Sequence, residues 1–368
     1  MPPRRVVIPH SRPTVDEEDI GAVVAVLRSG HLAQGQAVAQ FERDVAAYLG
    51  RRGGVATSSG TAALHLALLA LGIGPGDEVV LPSYTCVALL HAVTYVGAAP
   101  VLAEVDPQAM TVCPDDVARR LTRRTRALIV PHMHGLAADL DPLLALGVPV
   151  VEDCAQAFGA TYRGRPAGSF GVVAVCSFYA TKVLTTGEGG MLVADDDRIL
   201  ARARDLRDYD GRDALCTRYN YKMTDFQAAL GCSQLRRLPR FLARRRAIAA
   251  TYSARLAHLP VGLPVVPQGR GHIFYRYVIR VDDSVRASRH LADRGVDAKP
   301  PVPRPLHHLT GQTGFPVTDA VARTALSLPI YPTLTDAEVE HVAAAVAEAV
   351  RVDRGVRWQR SLLVSSWR

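Results

Sequence analysis

Lysine is almost absent from this chain of 368 residues: Lys182, Lys222 and Lys299 are the only three, and the other 40 of the 43 basic residues are arginine. The balance against 35 acidic residues is +8, with a pI near 9.4, which would suit an anionic partner. The distribution argues otherwise. Arginines recur through nearly every helix-like stretch, and the densest runs, Arg236-Arg237 with Arg240 and Arg244-Arg245-Arg246, fall at helical spacing, as a solvated face does. Aromatics make up only 6% and do not interleave with the basic residues, and no zinc-finger spacing occurs, so no nucleic-acid partner is expected. The six cysteines (Cys86, Cys113, Cys154, Cys176, Cys216, Cys232) form no C-x-x-C pair and several sit in apolar runs, the pattern of buried free thiols. His132-Met133-His134 and His307-His308 lack carboxylate or cysteine partners at ligand spacing, so no metal is expected. No apolar run approaches the roughly 18 residues of a membrane span, and Met1-Pro2-Pro3-Arg4-Arg5 opens no signal-peptide core. A soluble, cytoplasmic protein without membrane contact is the expectation.

With 48% hydrophobic and 21% charged residues the chain is ordinary globular material, long enough for two domains. A 3.6-residue period marks helices near 15–28 and 37–49. From Gly53 the pattern alternates. Short β-branched runs at 79–81, 101–102, 128–130, 148–151 and 172–178 read as strands buried on both faces, with helices near 62–71, 88–95 and 115–121 between them. That alternation predicts an α/β fold with a mostly parallel, helix-covered sheet. Beyond Thr224 come helices at 225–235 and 241–256, a strand at 275–280, a Pro-rich loop at 299–316 and further helices near 287–294, 318–325 and 336–350. This tail reads as a second, α+β domain. The expected division is a large domain over 1–245 and a small C-terminal domain over 246–368.

Three segments carry chemistry. Thr57-Ser58-Ser59-Gly60-Thr61 places hydroxyls and a glycine before an apolar helix, which makes either an anion site at the helix start or simply a good N-cap. Val150-Val151-Glu152-Asp153-Cys154-Ala155-Gln156 runs a buried strand into an acid. At the carboxyl end of a parallel strand Asp153 faces the ligand crevice, where it could keep a ring nitrogen protonated; an N-cap role explains it equally well. The third segment runs from Cys176-Ser177-Phe178-Tyr179-Ala180-Thr181-Lys182 to Gly189-Gly190. A lysine there, in a chain that otherwise uses arginine, points to the one reaction arginine cannot perform, loss of a proton and Schiff-base formation with an aldehyde.

In this order and spacing, these segments resemble the fold-type I enzymes that use pyridoxal 5′-phosphate, and specifically the DegT/DnrJ/StrS family of sugar aminotransferases. The likeness also rests on Leu27-Arg28-Ser29-Gly30, Gly74-Pro75-Gly76-Asp77-Glu78, Pro82-Ser83-Tyr84-Thr85, Gly97-Ala98-Ala99-Pro100, Tyr219-Asn220-Tyr221-Lys222-Met223 and Leu326-Ser327-Leu328-Pro329. The resemblance implies a seven-stranded sheet in the large domain and pyridoxal 5′-phosphate as cofactor. Lys182 would be the Schiff-base lysine and proton shuttle, Asp153 the partner of the pyridinium nitrogen, and Gln156 the contact of the ring's phenolic oxygen. Gly60, Thr61 and Ser177 would hold the phosphate, joined by Asn220 from a neighbouring subunit, so a homodimer with shared sites is implied. His31 and His307 match positions near substrate. Two departures stand out: Cys86 replaces the aromatic residue that covers the ring in many members, and Arg218 and Lys222 replace a glycine and an arginine beside the substrate surface. The implied reaction moves an amino group from glutamate or glutamine to the keto carbon of a nucleotide-linked sugar. A keto-cyclitol acceptor is the alternative; the family's dehydratases carry histidine in place of the lysine; a non-enzymatic regulator on this scaffold is the remote reading.

Overall fold

The computed structural model describes residues 8–211 and 214–352. Two helices open it, α1 (Glu17–Ser29) and α2 (Gln36–Tyr48). Asp16 and Asp19 close a capping box at the start of α1, and Gly30 at φ 74° ends it in the left-handed conformation that glycine tolerates. The chain then lays down β1 (Gly53–Thr57), β2 (Glu78–Pro82), β3 (Ala99–Ala103), β4 (Thr125–Pro131) and β5 (Val150–Asp153), with α3 (Gly60–Ala70), α4 (Val87–Tyr95), α5 (Pro114–Arg120) and α6 (Leu140–Leu144) between them. A small hairpin, β6 (Thr161–Tyr162) and β7 (Arg165–Pro166), precedes β8 (Val173–Ser177) and β9 (Gly190–Ala194), and α7 (Asp197–Arg207) follows.

The main sheet has seven strands in the order β1-β9-β8-β5-β4-β2-β3. All run in one direction except β9, which is antiparallel to both its neighbours. Side-chain alternation splits its core between two faces. Val80, Leu128, Val130, Val150 and Cys176 join one buried cluster, and their chain neighbours Val79, Leu81, Ile129, Val151 and Val175 join the other. Both faces are therefore dry, as the unbroken apolar runs in the sequence require. Elements β1, β9 and α7 add to the sequence expectation. Their segments carry paired glycines or dense arginine, and packing against the sheet, rather than local pattern, makes them regular.

Helix α8 (Asp225–Leu256) is a single 32-residue element, where the sequence suggested two. Pro239, which lies between the two expected helices, is exposed, and the neighbouring Leu238, Phe241 and Leu242 are buried, so packing holds the helix through the lost hydrogen bond. The division expected at residue 245 falls inside it. Beyond α8 the chain adds β10 (Arg270–Gly271), β11 (Tyr277–Arg280), α9 (Ser284–Asp293), α10 (Leu306–Thr310), α11 (Pro316–Thr324), β12 (Ala325–Leu328) and α12 (Asp336–Val352). Strands β11 and β12 pair antiparallel over a third cluster that draws Ile248 and Tyr252 from α8 and Val342 and Val346 from α12. No helix among the described residues is long and apolar enough to cross a membrane.

Candidate active site

The carboxyl ends of the parallel strands open on one edge of the sheet, where a crevice of about 230 Å³ lies. Gly60, Thr61, Cys86, Asp153, Gln156, Ser177 and Lys182 all line it, although they come from four separate stretches of chain.

Strand β5 delivers the acid. Consecutive residues of a strand face opposite ways, so Glu152 and Asp153 do different work. Glu152 is buried and accepts from the N–H groups of Gly168 (2.7 Å), Phe170 (2.7 Å) and Gly171 (2.6 Å), and its Oε2 lies 3.0 Å from His132 Nε2. His132 Nδ1 accepts from Ala138 N–H at 3.0 Å, so the proton resides on Nε2 and is donated to Glu152. Burial pushes the Glu152 carboxyl upward, but the His132 and backbone donors outweigh it and hold the pKa below its ordinary value. This satisfied network seats the end of β5. Asp153, 6% exposed, has one hydrogen-bond donor among the described residues, the N–H of Ala155 at 2.9 Å. Burial raises its pKa against the opposing pull of that N–H, of Lys182 and of His132. A buried carboxylate so thinly partnered calls for a cationic N–H donor from the crevice.

Gln156 is oriented with equal economy. His134 sits at φ 60°, a left-handed conformation uncommon for a side-chain-bearing residue, and aims its N–H at Gln156 Oε1 at 3.0 Å. A backbone N–H needs an acceptor, so the amide oxygen is fixed there and the NH₂ end remains to donate. On the far wall, Ser59 Oγ caps α3 by accepting from Ala62 N–H at 3.1 Å, while the free N–H groups and positive dipole end of the helix suit an anion. Gly60 permits this approach, because a Cβ there would stand 2.8 Å from Ser177 Cβ.

Lys182 sits in the loop joining β8 to β9, closed by Phe178 N–H to Gly189 O and Thr186 N–H to Phe178 O, both 2.8 Å. Its Nζ lies 5.3 Å from the ring centroid of the buried Tyr275. Burial pushes the Tyr275 phenol up, but Lys182, Arg276, the Thr181 hydroxyl and Arg245 together bring it down to about 8. Tyr275, Tyr179 and Glu188 were not singled out from sequence. Tyr179 and Glu188 lie within the segment that drew attention to Lys182 and line the crevice. Tyr275 comes from the C-terminal part of the chain and left no local signal. A buried acid, an oriented amide donor, a helix start suited to an anion and a lysine thus converge on one space, and this donor set fits pyridoxal 5′-phosphate.

Of the other candidates, Cys86 lies in the crevice and the rest lie outside it. Cys86 begins α4 in the crevice wall and is exposed. Asn220 is exposed in an extended segment pinned by Tyr219 N–H to Leu206 O (2.8 Å) and Ser58 N–H to Tyr221 O (2.8 Å), beside the anion site without lining it. Lys222 Nζ pairs with Asp208 at 2.7 Å and Asp210 at 3.0 Å. His307 is 2% exposed, bound to Ser83 and Asp319, and outside the crevice lining. His31 lines a larger groove of about 1000 Å³ between α1 and α2. That groove lacks converging chemistry, since its one carboxylate, Asp225, is spent on the N–H groups of Gly35, Ala37 and Val38.

The chain matches the DegT/DnrJ/EryC1/StrS aminotransferase family over residues 13–347. It is 37% identical over 338 residues to GDP-perosamine synthase of Caulobacter vibrioides, covering 86% of this chain and 91% of that one. Among solved structures it resembles DesV of S. venezuelae, determined with a ketimine intermediate, at 38% identity and a TM-score of 0.86 over 90% of this chain and 94% of that one. The aminotransferase TlmJ of Streptoalloteichus hindustanus is 36% identical with a TM-score of 0.90, covering 95% and 100%. With the lysine, the acid and the anion site in one crevice, the chain belongs to the DegT/DnrJ/EryC1/StrS family and is a pyridoxal-phosphate-dependent aminotransferase.

Proposed function

We propose that this aminotransferase transfers an amino group from glutamate or glutamine to the keto carbon of a nucleotide-linked keto-sugar, in amino-sugar, glycan or antibiotic biosynthesis. The observation that carries the reading is Lys182 sharing one crevice with Asp153, Gln156, Ser177 and the start of α3. The likeness to GDP-perosamine synthase, whose name specifies a nucleotide-linked amino sugar, supports the acceptor class.

Bound pyridoxal phosphate supplies an aldehyde that condenses with amines and a ring that accepts the electron pair left when an α-proton departs. The protein does the rest. Lys182 Nζ would take the proton from the donor's α-carbon and return it at C4′ of the cofactor. Asp153, as carboxylate, accepts the ring N–H and keeps that nitrogen positive. The Gln156 amide donates to the phenolic oxygen. The N–H groups of Gly60 and Thr61 and the Ser177 hydroxyl hold the phosphate, with Asn220 of a second subunit completing it in a homodimer. Cys86 flanks the ring, and His31, Lys222 and His307 are the substrate-side candidates. The division 1–245 for the cofactor domain and 246–368 for the small one makes α8 their shared spine, the ends 1–7 and 353–368 lying outside the described residues. Six free cysteines suit a reducing cytoplasm.

The test is an absorbance spectrum of the purified protein beside Lys182→Arg, before and after glutamate and then glutamine. A visible band that depends on Lys182 and is discharged by one donor is the expected outcome. Wild-type protein supplied with pyridoxal phosphate but showing no lysine-dependent band overturns the assignment of Lys182.

A further inference from the structure

We propose that His307, His308 and Asp319 form a binding site for a divalent transition-metal ion of the zinc type, separate from the cofactor crevice. The paired histidines were set aside from sequence because no carboxylate accompanied them at ligand spacing. The fold supplies one. Asp319, in the first turn of α11, places Oδ1 3.1 Å from His307 Nε2 and 2.9 Å from His308 Nε2, and the three atoms lie within 4.8 Å of one another. Ligand atoms bound tetrahedrally at about 2.0–2.1 Å stand roughly 3.3 Å apart, so these separations are close to those an ion would impose.

The arrangement is held from behind. His307 Nδ1 meets Ser83 Oγ at 2.7 Å, the outer contact that orients a metal-ligating imidazole and leaves Nε2 for the ion. Its ring stacks on Phe315 at 4.7 Å and 20°, and the His308 ring packs edge-on at 4.2 Å. Glu104 anchors the start of α11, accepting from Val317 N–H at 3.0 Å and Thr318 N–H at 2.8 Å, which fixes the turn that carries Asp319. His308 and Asp319 are 47% and 51% exposed in their side chains, so an ion can enter from solvent and keep water in a fourth position. Two imidazoles and one carboxylate select a borderline cation over calcium or magnesium.

The site reaches the crevice through the backbone rather than through chemistry. Leu306 N–H donates to Ser83 O at 2.8 Å and His307 N–H to Ser83 Oγ at 3.1 Å, and Ser83 lies three residues before Cys86 in the crevice wall. An ion here would clamp α10 and α11 against the end of β2.

The experiment uses untagged, cofactor-loaded protein, treated with chelator and then freed of it, titrated with Zn²⁺ by calorimetry and with Co²⁺ by visible absorbance. The expected result is one equivalent per chain at micromolar affinity or tighter, weakened at least tenfold both in His308→Ala and in Asp319→Asn. Both variants are half-exposed substitutions, and unaltered thermal midpoints without metal confirm that they fold. The absence of saturable binding below about 1 mM overturns the proposal. So does binding unchanged in either variant, which would assign the zinc to other groups. Neither result bears on Lys182.

Discussion

Glu152 shows how much a residue outside the chemistry contributes. Behind Asp153 it spends its charge on one imidazole and on three backbone N–H groups of the loop 168–171, whose Gly168 and Gly171 carbonyls are held by Arg51. Glu152→Gln should destabilise the fold by about 3 kcal/mol at neutral pH, because charged acceptors in buried networks are worth more than neutral ones. The sign with pH follows from its lowered pKa. The stabilisation is complete above the ordinary carboxylate range and is lost as pH falls through the depressed folded value. Urea unfolding of both proteins at pH 7 and near pH 4 should show the gap narrowing in acid. An equal gap at both pH values would mean that the loss is steric rather than electrostatic.

At the scale of elements, the site depends on how closely α3 meets the strands beside it. Gly190 opens β9 with its Cα against the turn into α3. An added Cβ would lie 2.3 Å from Ser59 O and 2.5 Å from Gly60 N, backbone atoms that cannot swing aside. Gly190→Ala should therefore displace the helix start and weaken pyridoxal phosphate binding by at least about tenfold, near 1.4 kcal/mol. Fluorescence titration with the cofactor measures this. Unchanged affinity with unchanged circular dichroism would remove the start of α3 from the phosphate site. Most helices and most parallel strands were legible from periodicity, since each buries a regular stripe or face, whereas α6, α7 and α10 were not. Nor were strands β1 and β9: glycine weakens the strand signal, and the pairing of β1 with β9 joins segments remote in sequence. Helix α8 shows the converse, a proline that stops a helix in isolation but is carried along by buried neighbours on either side.

For the whole molecule, the proposed sharing of sites between subunits makes a direct prediction. Lys182→Arg and Asn220→Ala chains, each impaired alone, should regain activity when co-expressed. In a mixed dimer one site receives Lys182 from one chain and Asn220 from the other, restoring about a quarter of the wild-type sites at equal mixing. Activity no higher than the sum of the two separate variants would place Asn220 outside the neighbour's site. The sequence alone determined the alternating α/β plan, the acid at the end of a buried strand and the lysine where arginine is the rule, because periodicity and local residue chemistry act over a few residues. Tertiary structure decided what no short segment encodes. It reversed β9, set Tyr275 against Thr181 across 94 positions, tied Ser83 to His307 across 224 and brought Asp319 onto two histidines 12 and 11 residues before it. Those contacts depend on which faces pack together, and packing is settled only when the whole chain has folded.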